Sequence, residues 1–96
     1  MECTTKTEGD FSVIYLAGEI DLYCSADARK EILQQLSENK PVIVELSEVK
    51  YIDSSAIASL VEGLQMAKKS NLDFSLAAVS EPALQVIKLA RLDKVF

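Results

Sequence analysis

The sequence predicts an α/β domain: a mixed, mostly parallel sheet of four to five strands packed with three or more helices. Three observations lead there. Stretches rich in β-branched and aromatic residues alternate with stretches whose apolar residues recur at helical spacing, and such alternation implies right-handed crossovers and parallel pairing. The first two β-rich stretches are separated only by Glu8-Gly9-Asp10, which reads as a hairpin turn. The 96 residues are 49% apolar and 26% charged, a globular composition of the size that builds one core. Residues 1–96 are therefore taken as a single domain.

Cys3 to Gly9 is a weak strand and Phe11 to Ala17 a strong one, with Gly18-Glu19-Ile20-Asp21 leading out of it. From Ser25 the period changes. Ala28, Ile32, Leu33 and Leu36 share a helical face, Ser25 is the expected N-cap with Asp27 in the first turn, and Asn39 stands near the end. After Pro41, PVIVELSEV (41–49) reads as a short buried strand, its run Val42-Ile43-Val44 fitting cover on both faces. A loop over 47–53 is expected next, followed by a helix with the stripe Ile57, Leu60, Val61, Leu64 and Ala67, ending near Asn71. Residues 72–79, LDFSLAAV, form another strand. Ser80 then caps a third helix, with Pro82 at its first position and Ala83, Val86, Ile87 and Ala90 facing inward. Asp93 to Phe96 reads as the entry to a further strand.

Composition excludes several chemistries. There is no histidine, which removes the commonest general base and any Ser-His or Cys-His pair. Three glycines build neither GxxxxGK[ST] nor GxGxxG, and no GxSxG elbow occurs. A binding or regulatory module is expected rather than an enzyme, with no cofactor. Net charge −5, with no cationic run longer than Lys68-Lys69, argues against nucleic-acid binding. Cys3 and Cys24 lack metal or redox spacing and read as ordinary thiols. Glu19, Asp21 and Asp53 are carboxylates without other ligands, so no metal site is expected. No secretion signal opens the chain and no apolar run approaches the roughly 20 residues of a membrane span. A cytoplasmic protein without direct membrane insertion is expected.

The segment YIDSSA, 51–56, concentrates the interest. Any of Asp53, Ser54 and Ser55 can accept hydrogen bonds from the first turn of the following helix. The same place would also favour a phosphate, through the helix dipole and free N–H groups. A phosphoserine beside Asp53, with Asp21 from the loop after the second strand, would build a strongly anionic patch and reject a partner suited to the neutral serine.

Three pieces, LAGEID (16–21), VIVELSEVKYIDSSA (42–56) and LARLDKVF (89–96), resemble the anti-sigma-factor antagonists, single-domain members of the STAS family in bacteria. The element order matches along essentially the whole chain. The resemblance implies a β/α superhelical fold whose unphosphorylated form binds an anti-sigma factor with serine-kinase activity and releases the sigma factor. It assigns the phosphate to Ser54, directly after the aspartate, and its removal to a PP2C-type phosphatase. Asp21 then lies near the acceptor, Asp53 shapes the loop, Ser55 supports the helix start, and Ser59 and Glu62 stand on the outer side of a docking surface. Ala56 replaces the family's usual glycine. The family commonly continues into a last strand and a C-terminal helix, whereas this sequence stops at Phe96; on that reading the last elements are missing and an edge is left for homodimer contacts. Two neighbouring readings share the fold: a STAS subunit that scaffolds an ABC-type lipid transporter, and a partner-switch component controlling secretion, motility or biofilm formation.

Overall fold

The computed structural model describes residues 1–92, and the expected strand entry at 93–96 lies outside them. Seven elements follow one another: β1 (Glu2–Glu8), β2 (Phe11–Ile20), α1 (Ser25–Ser37), β3 (Val42–Ile52), α2 (Ser54–Lys69), β4 (Phe74–Ala77) and α3 (Glu81–Leu89). The sheet order is β1-β2-β3-β4, with β1 antiparallel to β2 and the other pairs parallel. The predicted fold class is therefore found: a mixed, mostly parallel four-stranded sheet with three helices.

Ile14, Leu16, Val42, Val44 and Leu46 of the two central strands join Ala28, Ile32 and Leu36 of α1 and Ala56, Ile57, Leu60 and Leu64 of α2 in one apolar core. α1 and α2 also lie against each other, and the contact is close. A Cβ built on Gly63 would stand 2.8 Å from Ile32 Cγ2 and 2.9 Å from Phe74 Cε2. Asn39 and Asn71 follow α1 and α2 with φ of 61° and 56°, the left-handed conformation that asparagine tolerates after a helix.

The largest departure from expectation is β3. It does not stop before a loop at 47–53 but runs to Ile52, and its second half pairs with β2 through Ala17–Glu48, Gly18–Val49, Glu19–Tyr51 and Ile20–Ile52. Register shifts between Tyr15 and Ala17 and between Gly18 and Glu19 accommodate it, with Gly18 at φ +85°. Nor is β3 covered on both faces. Val42, Val44 and Leu46 are fully buried, whereas Ile43 and Glu45 between them are only half-buried, the alternation of a sheet covered mainly on one side.

Smaller corrections concern the helix ends. Ser25 does not cap α1. It is the buried first residue, and Cys24 occupies the cap position without a capping side-chain bond. Pro82 is second in α3 rather than first, and Ala90 is an exposed C-cap rather than part of the inner face. Ser80 does cap: its hydroxyl accepts the Ala83 N–H at 3.3 Å while donating to the Val49 carbonyl at 2.6 Å. That second bond, with Ser80 N–H to the Leu46 carbonyl at 3.3 Å, anchors α3 to the part of β3 beyond its pairing with β4.

Candidate functional site: the Asp53-Ser54 helix start

Because β2 and β3 are parallel and Ile20 is the register partner of Ile52, the chain leaves both strands at the same edge of the sheet. Asp21 and Asp53 are the next residues, so the sheet itself brings the GEID and YIDSSA segments together. The Asp53 N–H donates to the Ile20 carbonyl at 3.2 Å. Ligand-facing loops gather at such strand ends in open α/β sheets.

Asp53 is the N-cap of α2, with φ −111° and ψ −176°. Its Oδ1 accepts the N–H of Ser55 at 3.0 Å and of Ala56 at 3.1 Å, and the Ser55 hydroxyl donates to the same oxygen. The Ser55 hydroxyl bond leads the causes that hold the Asp53 carboxyl below the ordinary aspartate range. The N–H groups of Ala56, Ser55 and Leu22 add to it and desolvation opposes it. Leu22 belongs to the turn after β2, whose backbone is joined to this cap by the Asp53 N–H bond to the Ile20 carbonyl. The carboxylate also occupies first-turn N–H groups that the sequence left open to a phosphate.

The hydroxyls around this carboxylate have different fates. Ser55 is half-buried and committed to Asp53. Ser59, expected on the outer side, is instead 7% exposed: it donates to the Ser55 carbonyl at 3.1 Å and lies 3.4 Å from the Ser25 carbonyl of α1. Ala56 is also buried, in the α1–α2 contact. Ser54 differs from all three. It is the exposed first residue of α2, and its hydroxyl has no hydrogen-bond partner among the described residues.

Asp21 is half-buried and shapes its own turn, its Oδ1 accepting the Tyr23 N–H at 3.0 Å. The Asp21 carbonyl accepts the N–H of Cys24 at 3.1 Å and of Ser25 at 2.8 Å. Glu62 is exposed, about 12 Å along α2 from Ser54 at the helical rise, and is ion-paired with Arg29 of α1. The structure thus gathers Asp21, Asp53, Ser54 and Ser55 at one sheet edge, turns Ala56 and Ser59 inward, and leaves Glu62 two turns away.

Two residues of this surface escape a reading of the sequence. Leu22 is 70% and Tyr23 92% exposed on the turn that contacts Asp53. Apolar residues in a loop carry no periodicity, so only their place between Asp21 and the Ser25 helix start marked them. Among the described residues no group of His, Cys, Asp and Glu is placed to hold a metal ion, and no helix is long and apolar enough to cross a membrane.

The fold has counterparts in known proteins. A curated relative, the anti-sigma-B factor antagonist of Bacillus subtilis (strain 168), is 26% identical over 90 residues, covering 94% of this chain and 82% of its own length. The crystal structure of an anti-sigma factor antagonist from Mycobacterium paratuberculosis superimposes with a TM-score of 0.89 at 23% identity, covering 99% of this chain and 81% of that one. SpoIIAA, an anti-sigma factor antagonist solved in its unphosphorylated form, gives 0.82 at 15% identity over 97% of this chain and 84% of its own. At such identities the two structures speak for the fold alone. The STAS domain model, however, matches residues 2–96, which takes in the sheet, all three helices and the Asp53-Ser54 helix start: the chain belongs to the STAS domain family.

Proposed function

We propose that this chain is an anti-sigma-factor antagonist switched by phosphorylation of Ser54. The unphosphorylated form binds an anti-sigma factor with serine-kinase activity, in the cytoplasm, and frees the sigma factor; the phosphorylated form lets go, and a PP2C-type phosphatase resets it. The chain performs no chemistry of its own in this scheme. One observation carries the choice of residue: Ser54 pairs an exposed position with an unbonded hydroxyl, whereas Ser55 and Ser59 are committed to Asp53 and to backbone carbonyls. The names of the relatives support the partner class.

Electrostatics supply the switch. A phosphoserine adds about −1.5 to −2 charges near neutral pH. Here it would stand next to the Asp53 carboxylate, which its hydrogen bonds keep ionised. No lysine or arginine occurs between Lys6 and Arg29 or between Lys50 and Lys68, the two segments that build this surface. No nearby cation from those segments would neutralise the added charge. A partner surface complementary to the neutral serine would then face a concentrated anion, with little call on the fold itself.

Incubation with the purified serine-kinase anti-sigma factors of the same genome and ATP, followed by mass spectrometry, is expected to place one phosphate on Ser54. Phosphate on neither Ser54 nor Ser55 with any of them overturns the proposal. In the same assay Ser54→Asp is expected to keep the fold and weaken kinase binding by about tenfold or more, as like charge at an interface costs several kcal/mol. Unchanged affinity would remove charge rejection as the mechanism.

A further inference from the structure

We infer that the open edge of β1 pairs with the β1 of a second copy of this chain, antiparallel and centred on Thr4, so that two sheets join into one. The inference goes beyond the proposed function and needs no kinase partner.

The two edges of the sheet differ. β4 offers four residues, whereas β1 has seven, contains no proline and pairs with β2 in an unbroken register. All of β1 is exposed except the half-buried Thr5, whose hydroxyl donates to Glu31 of α1 at 2.8 Å and so fixes the strand in place. A long, ordered edge with a row of unpaired N–H and C=O groups is a template for another strand.

The hairpin decides which groups are free. Gly9, at φ +62°, and Asp10 form its whole loop, and a two-residue loop makes Glu8–Phe11 the hydrogen-bonded closing pair. By the alternation of an antiparallel ladder, Lys6, Thr4 and Glu2 also bond to β2, and the backbone groups of Thr7, Thr5 and Cys3 point to the open side. A second β1 must therefore set these three residues against their own kind. Charge selects among the registers that do so. Centred on Thr5, the pairing sets Glu2 against Glu8; centred on Lys6, it sets Lys6 against itself. Centring on Cys3 or Thr7 engages only one end of the strand. Centred on Thr4, it bonds Cys3 to Thr5, brings the two Thr4 residues together on the two-fold axis and sets Glu2 against Lys6 on either side. A lysine in an edge strand ordinarily deters pairing. Here its Nζ lies 5.6 Å from the Tyr15 ring centroid, and Tyr15 is the register partner of Thr4. The ammonium is thus already held on the face that Glu2 and Thr4 share by strand alternation.

Sedimentation of the purified chain at rising concentration reads the monomer–dimer equilibrium, with thermal melting in parallel. Lys6→Glu and Glu2→Lys are each expected to weaken the dimer about tenfold or more, and the two changes together to restore it. Thr4→Cys, in a chain carrying Cys3→Ser and Cys24→Ser, is expected to give a disulfide-linked dimer on oxidation, because the Cα atoms of such a non-hydrogen-bonded pair stand about 4.5 Å apart. Thr7→Cys in the same background is expected to stay unlinked. A wild-type chain that sediments as a monomer from micromolar to millimolar concentration overturns the inference. So does a dimer that both single charge reversals leave unchanged, or one that Thr7→Cys links and Thr4→Cys does not. Any of these results leaves the proposed function standing, since none involves Ser54 or a kinase.

Discussion

Helices α1 and α2 begin at the same edge of the sheet with similar words, Cys24-Ser25-Ala26-Asp27 and Asp53-Ser54-Ser55-Ala56, yet their starts are built in different ways. At α1 the serine is buried and no side chain caps the helix; the chain is turned by the Asp21 carbonyl, and the Cys24 sulfur accepts the Asp21 N–H at 3.3 Å. At α2 a carboxylate caps two N–H groups and binds a hydroxyl, and the serine that opens the helix is left outside. A serine at a helix start can thus be packing, cap or free surface. What decides is the residue before it and whether the first turn faces the neighbouring helix. Aspartate before Ser54 takes over the capping, and the serine is released for another use.

The seam between the two helices is where this contrast can be broken with the largest effect. Gly63 lies in α2 where it meets Ile32 of α1 and Phe74 of β4, and an added Cβ would have to displace both by several tenths of an ångström. Ile32 is fully buried and β-branched, so it has little room to yield. Gly63→Ala is expected to lose about 1–3 kcal/mol through overpacking, offset in part by the roughly 1 kcal/mol that alanine gains over glycine in a helix. Denaturant unfolding measures the net; a variant more stable than wild type would mean that the helices part easily, and that the burial of Ser25 and Ser59 is loose.

The Asp53 cap comes next in size. Asp53→Ala is expected to cost about 1 kcal/mol, the usual worth of a capping side chain. The pH dependence gives the sign. The folded-state pKa of Asp53 lies below its ordinary value, so its contribution is fully present above the unfolded pKa of about 3.9 and fades as pH falls through the lower folded value. Wild type and Asp53→Ala are therefore expected to converge in stability below about pH 4. A gap that stays constant into acid would show that the carboxylate's charge does not matter to the cap.

Much of this architecture is legible in the sequence, and the exceptions have physical causes. Strand and helix order follow from the change of period at Ser25 and again after Asp53. The end of β3 reads as a loop over 47–53 because its register shifts break the two-residue alternation: Leu46, Val49 and Ile52 are buried three apart, a spacing that no regular strand shows. The resemblance puts Ser59 on the outer side of α2, whereas it is buried. Its neighbours carry the better signal, since Ala56, Ser59 and Gly63 recur at three- and four-residue steps, a strip of small residues that lets α1 approach. Asp21 and Asp53 are legible as neighbours from family resemblance, but the tie between their loops is the Asp53 N–H bond to the Ile20 carbonyl, which no residue pattern encodes. The same holds for Ser54. Residue types offered three capping candidates, and the hydrogen bonds distribute the roles.

The smallest expected effect is the sharpest test of the two helix starts. If Ser25 contributes only packing and Ser54 only surface, neither hydroxyl supports its helix. Ser54→Ala, at an exposed position with no bond to lose, is expected to stay within about 0.5 kcal/mol of wild type, as surface substitutions do. Ser25→Ala removes from a buried residue a hydroxyl that caps nothing and is expected to be equally mild. On the proposed function the contrast is expected in binding: Ser54→Ala no longer accepts phosphate and holds the kinase persistently, whereas Ser25→Ala switches as wild type does. A loss of about 1 kcal/mol or more in Ser54→Ala would show its hydroxyl sharing the cap with Asp53. The serine would then be part of the helix's structure, and a phosphate there would disturb the α2 start as well as the surface charge.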